Sequence, residues 1–272
     1  MDIKEFLVGI SVKHNGDWEK IYDAILKKED IGDEEMILRN ISKLESKYIT
    51  ILDDEYPEML RKSYRPPFVL YYHGDISLLS HYNNMISVIG TRKPTNYGRY
   101  ATRYFVKELS KEKIIVSGMA DGIDSFAHSV TLENNGSTIA VLGSGINYIY
   151  PSTNEELYKM IKENGLIISE YPNSTVPQPN NFIVRNRIIA SLSPKLLVIE
   201  ANSNRSGTLT TVRFALMNGK DVLCVPKQVG KYSVCNHLIK DGAQLVDSPS
   251  DILKDKWKIY YRSKEYFFIF IM

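Results

Sequence analysis

From Met85 to Val225 the sequence repeats one arrangement: a short, largely apolar run of three to five residues, then a longer segment whose apolar residues recur with helical period. The runs are Met85 to Ile89, Ile114 to Val116, Thr138 to Leu142, Leu166 to Ile168, Leu196 to Ile199 and Val222 to Val225. The intervening segments are Tyr97 to Leu109, Ile123 to Asn134, Asn154 to Glu163, Phe182 to Leu192 and Thr208 to Met217. A short run without polar alternation is a strand buried on both faces, and joining such strands through helices requires parallel crossovers. The fold class expected is therefore α/β, a Rossmann-like doubly wound parallel sheet covered by helices on both faces.

Ahead of this pattern, Trp18 to Lys27 and Glu34 to Glu45 read as short amphipathic helices, so residues 1–50 are expected to form a small helical N-terminal domain. A Tyr56-Pro57 turn and Arg65-Pro66-Pro67 then lead into the β-rich Phe68 to Tyr72, closed by Gly74-Asp75, an extra strand entering the main fold. The main domain is expected over 51–254 and a short tail over 255–272, with no internal repeat. The longest apolar stretch, Tyr266 to Met272, is far short of the ~20 residues of a spanning helix, and neither end carries a signal pattern. A soluble, cytoplasmic protein without membrane contact is expected. Cys224 and Cys235 have no metal-ligand spacing and read as reduced thiols.

Charge is divided unevenly. Residues 1–60 carry 15 acidic and 8 basic side chains, the remainder 17 and 26. A basic body behind an acidic leader suits polyanion binding on the body, although an uneven solvated surface gives the same numbers.

In a doubly wound sheet, ligands bind beyond the carboxyl ends of the strands. The first such loop, Gly90-Thr91-Arg92-Lys93-Pro94-Thr95-Asn96-Tyr97-Gly98, opens a segment to Lys107 with five basic residues and no acid. Ser117-Gly118 to Gly122 follow the second strand and Gly143-Ser144-Gly145 the third. Small residues let backbone N–H groups approach an anion at a helix start, so phosphate is the expected guest. The loops lack the G-x-G-x-x-G fingerprint of dinucleotide binding and the Walker lysine of an NTPase.

Arg185 and Arg187, two apart on a helix, point to different sides, so that one can face the crevice while the other holds a carboxylate such as Glu200; the alternative is that both are surface or structural arginines. Ser206-Gly207-Thr208 reads as a second anion cradle or as an ordinary N-cap. Asp124 and His128 share a helix face, but no third ligand or nucleophile accompanies them, and structural hydrogen bonding is the simpler reading. No metal site, cofactor or catalytic set is expected.

Together these loops resemble one family, the bacterial DNA-processing protein A (DprA/Smf) proteins. The resemblance runs from about Asp53 to Leu253. It is carried by Val88-Ile89-Gly90-Thr91-Arg92 with Tyr97-Gly98, Ser117 to Asp124 with His128, and Ile139 to Gly143 with Tyr150-Pro151. Ser169 to Pro172, Phe182 with Arg185-Asn186-Arg187, Ser206-Gly207-Thr208 and Asn236 to Ala243 complete it. Lys227, Val234 and Ser152 depart from the family's usual residues.

The resemblance implies a non-enzymatic single-stranded-DNA-binding protein that protects incoming DNA in natural transformation and helps load the RecA recombinase. It places the DNA pocket at the strand-end crevice, with Arg92 and Arg185-Asn186-Arg187 matching the family's motifs. It implies a homodimer formed through Asn236 to Leu245, where Leu238, Ile239 and Leu245 are apolar anchors. DNA or phosphate contacts are accordingly expected from Gly90, Thr91, Arg92, Gly98, Ser117, Gly118, Gly122, Gly143, Arg185, Asn186, Arg187, Ser206, Gly207 and Thr208, with base stacking on Tyr97 or Phe182. The rival reading is a Rossmann-type enzyme or sensor acting on a nucleoside monophosphate-like ligand, although the Gly-Gly-x-Gly-Thr motif of such enzymes is missing.

Overall fold

The computed structural model describes residues 1–173, 175–203, 207–228 and 230–254. Three helices begin the chain: α1 (Ile3–Lys13), α2 (Trp18–Leu26) and α3 (Glu34–Ser42). Each is capped by an aspartate, Asp2, Asp17 and Asp33, whose carboxylate accepts from an otherwise orphaned N–H of the first turn. Ile10, Ile21, Ala24, Ile31 and Ile37 form a small core among them. The helices are not isolated from the rest, because Leu7 and Val8 pack in one cluster with Val69, Tyr71, Ile146 and Ile167.

A strand β1 (Lys47–Thr50), a single-turn α4 (Glu58–Arg61) and β2 (Val69–Gly74) follow. Then come β3 (Met85–Ile89), α5 (Asn96–Leu109), β4 (Ile114–Ser117), α6 (Ile123–Glu133), β5 (Thr138–Val141), α7 (Glu155–Asn164) and β6 (Leu166–Ser169). The second half comprises α8 (Pro179–Ser191), β7 (Lys195–Val198), α9 (Gly207–Met217), β8 (Asp221–Cys224), α10 (Val234–Lys240), β9 (Gln244–Leu245) and α11 (Ser250–Leu253).

Among the described residues the sheet has nine strands in the order β1-β2-β6-β5-β4-β3-β7-β8-β9. All pairings from β6 to β9 are parallel, whereas β2 is antiparallel to both β6 and β1. The α/β sheet expected from the sequence is therefore the fold, extended on one side by an antiparallel pair. Helices α8, α9 and α10 cover one face through Ile188, Val212, Ala215 and Val234. On the other, α5 and α6 bury Phe105, Leu109, Ile123 and Val130. The chain order reverses direction between β3 and β7, so the crevice beyond their carboxyl ends is the topological switch point where this architecture binds ligands. No helix among the described residues is long and apolar enough to cross a membrane.

Candidate nucleic-acid interface

A cavity of about 420 Å³ lies at that switch point. Its walls are Gly90, Thr91 and Arg92 after β3, Ala120 and Asp124 after β4, the first turns of α8 with Phe182, Arg185 and Asn186, and Gly207 and Thr208 opening α9. The glycines hold these loops together by close approach. A Cβ on Gly90 would stand 2.5 Å from Ile123, and one on Gly122, whose φ is +88°, would stand 2.4 Å from the Thr91 carbonyl oxygen. The Ile123 N–H in turn donates to that carbonyl, and Thr208 Oγ1 donates to the Gly90 carbonyl, so two helix starts are tied to the first loop.

Phe182 lines the cavity. The Arg92 guanidinium carbon is 5.7 Å from its ring centroid and that of Arg185 is 5.9 Å, while the Tyr150 ring tilts against it at 5.3 Å. Gly143 makes room for the ring, since a Cβ there would lie 2.6 Å from it. A smaller cavity continues past Phe182 along Arg92, Gly118, Gly143 and Tyr150. Arg92 is exposed and has no ion pair among the described residues. A free guanidinium beside an aromatic face, in one cavity with the start of α9, is equipped to hold phosphate and base at once.

The structure changes the part expected of Arg185. It is buried beneath the cavity, donating to the carbonyls of Gly118 (2.6 Å) and Val141 and to Asn186 Oδ1 (3.3 Å). Its counter-charge is Asp124. Burial pushes the Asp124 carboxyl up to about 6 against the opposing pull of Arg185, the Gly118 and Ala120 N–H groups and Arg92. Burial likewise lowers Arg185 to about 10. Arg185 thus lends charge to the floor, with its N–H groups largely spent on the protein itself.

Arg187 is not at the cavity, nor does it hold Glu200. It forms a buried bidentate pair with Glu170, at 2.8 Å and 2.5 Å, and donates to the Arg65 carbonyl. The reason is topological: α8 covers one face of the sheet, and the Glu200 carboxylate turns to the other. There it accepts from Thr95 N and Oγ1, both at 2.9 Å, and from Lys227 Nζ at 2.7 Å. Burial would raise the Glu200 carboxyl, but Lys227 and Thr95 outweigh it and the net direction is down. Gly98 belongs to this arrangement, because a Cβ there would sit 2.1 Å from Glu200 Oε2. Lys227, a departure from the family pattern, is therefore spent on Glu200 and Asn202.

Other expected contacts also take structural places. Ser117 Oγ is buried and donates to the Val88 carbonyl at 2.6 Å. Gly118 is packed between Asp124 and Arg185. Tyr97 lies off the cavity, its hydroxyl donating to the Pro226 carbonyl at 2.6 Å. Asn186 lines the cavity and donates to the Gly207 carbonyl at 3.2 Å. Ser206 lies outside the described residues. His128 is buried, with Nδ1 2.6 Å from Thr138 Oγ1, and burial holds its imidazole down at about 3, a structural neutral histidine. Among the described residues no group of three His, Cys, Asp or Glu side chains is arranged to hold a metal ion.

Tyr150 beside Phe182 and Glu170 beside Arg187 carry no separate signal in the sequence. Both follow sheet strands in Tyr150-Pro151 and Ser169-Glu170-Tyr171-Pro172, so their place in strand-end loops was the available signal.

The family model for DNA recombination-mediator protein A matches residues 47–256. The DNA processing protein DprA of Streptococcus pneumoniae is 39% identical over 208 residues, covering 76% of this chain and 73% of that protein. Its X-ray structure superimposes with a TM-score of 0.77 and 35% identity, covering 87% of this chain and 80% of that one. The structure of DNA processing protein A from Helicobacter pylori, described for its single-stranded DNA binding mode, gives a TM-score of 0.69 at 29% identity, covering 80% and 98%.

Proposed function

The chain belongs to the DNA recombination-mediator protein A family, and on that premise we propose that it binds single-stranded DNA, without reading its sequence, in the cavity at the strand ends. The observation that carries this reading is the exposed Arg92 beside Phe182, at the edge of a cavity whose walls include two helix starts. Arg92 takes a phosphate, the N–H groups at the start of α9 face the same anion, and Phe182 with Tyr150 offers a surface for a base. Arg185 strengthens the positive field from below. The protein performs no turnover in this role. It covers incoming single strands in the cytoplasm during natural transformation or recombination and helps load the RecA recombinase onto them. It works as a homodimer joined through Leu238, Ile239 and Leu245. Relatedness to a protein studied for single-stranded DNA binding supports the ligand class.

The test is Arg92→Ala. Because the side chain is exposed and unpaired, melting temperature should stay within a degree or two, while single-strand affinity falls by ~1.5–3 kcal/mol. The slope of log affinity against log salt should shrink by about 0.7, the value for one phosphate contact on a single strand. A variant that loses stability yet keeps the wild-type slope would place the DNA elsewhere.

A further inference from the structure

Helix α5 leaves the cavity loop four residues after Arg92 and carries an exposed row of tyrosines on its outer side, Tyr97 (39% exposed), Tyr100 (66%) and Tyr104 (41%). The spacing of three and four residues puts them on one strip of the helix. The Tyr100 and Tyr104 rings lie nearly parallel, 8° apart with centroids at 6.0 Å, and Tyr97 is fixed by its bond to Pro226. The cations nearby are not neutralised: among the described residues Arg92, Lys93, Arg99 and Lys107 have no ion pair, whereas Arg103 is held by Glu133. No acidic residue occurs from Gly90 to Lys107, and Glu108, paired with Lys111, closes the strip. Three large aromatic side chains exposed to water, bordered by unpaired cations, form the combination that single strands use, rings for bases and cations for phosphates.

We propose that this strip is a stacking track for single-stranded DNA continuing out of the strand-end cavity. It rests on the reading that the cavity itself holds single-stranded DNA. The seven steps from Tyr97 to Tyr104 rise about 10 Å along the helix, room for about three bases at the stacked spacing of ~3.4 Å. Phosphates entering the track meet Arg92 and Lys93, and those leaving it meet Lys107. The track therefore adds affinity only for strands long enough to pass the cavity.

The experiment measures fluorescence anisotropy with oligothymidylates of ~6 and ~20 nucleotides, lengths bracketing one single-strand site. Wild type, Tyr100→Ala/Tyr104→Ala and Tyr100→Phe/Tyr104→Phe are compared, with oligomeric state followed by light scattering. The alanine variant should bind the long strand about tenfold more weakly and the short strand within about twofold of wild type, and the phenylalanine variant should match wild type on both. Equal losses on both lengths, or none on either, overturn the track. A changed oligomeric state with both affinities intact overturns it too, and makes the strip a surface between copies of the chain. If wild type binds neither strand, the cavity reading falls and the track with it; wild-type binding without the length-selective loss removes the track alone.

Discussion

Arg92, Arg185 and Arg187 carry the same side-chain chemistry and end in three environments: exposed at the cavity, buried on carbonyls beneath it, and buried against Glu170. The order of the motif predicts that two of them differ, because neighbours two apart on a helix diverge. It does not predict which carboxylate takes Arg187, since that depends on which face of the sheet α8 covers. Arg187→Ala should be the reverse of Arg92→Ala. It leaves Glu170 buried and unpaired and should cost ~3–5 kcal/mol of stability by urea unfolding, with the folded fraction still binding DNA. A loss under about 1 kcal/mol would show that Glu170 is not held in place by that pair. His128 supplies a pH prediction. Its folded value near 3 lies below the ordinary unfolded value of about 6.5, so between them unfolding takes up a proton and stability falls as pH falls. Asp124, raised to about 6, acts in the opposite sense between about pH 4 and 6. His128→Leu should therefore lose less stability than wild type from pH 7 to pH 5, by about 2 kcal/mol, in urea titrations at the two values. Parallel pH curves would mean that the imidazole is not buried neutral.

At the scale of elements, the six core strands were legible because each is a short, largely apolar run, and all lie in the sheet within a residue or two of their expected bounds. Helix α1 is not legible from periodicity although Asp2 and Glu5 form a capping box. Its apolar residues serve two cores, Leu7 and Val8 toward the sheet and Ile10 toward α2 and α3, so no single stripe stands out. The antiparallel insertion of β2 between β1 and β6 was equally hidden, because no local pattern names a partner so distant in sequence. The far edge of the sheet ends in β9, paired on one side with β8, with Gln244 and Leu245 exposed. Leu238 and Ile239 are partly buried against the core, which makes Leu245 the cleaner probe of self-association. Leu245→Arg should give a folded monomer by light scattering, since a two-fold contact places the substitution twice in one interface. An unchanged dimer would move the contact away from this edge.

Across the whole molecule, the candidate site was legible as a place more than as a set of contacts. Glycine-rich loops, an acid-free segment and the switch point of the sheet located the cavity, and Gly90, Thr91, Arg92, Phe182, Arg185, Asn186, Gly207 and Thr208 line it together. Gly98, Ser117 and Arg187 carry the same motif signal yet serve packing, because a strand-end loop must also close its own hydrogen bonds before it can offer any to a ligand. A cavity walled by loops from several strands admits a flexible single strand, whereas a stiff duplex would have to bend sharply to present its phosphates there. The decisive measurement is the affinity of the full chain for a single strand and for its duplex, at equal length and salt. The single strand should bind at least about tenfold more tightly, and equal or tighter binding of the duplex would contradict the placement of DNA in the strand-end cavity.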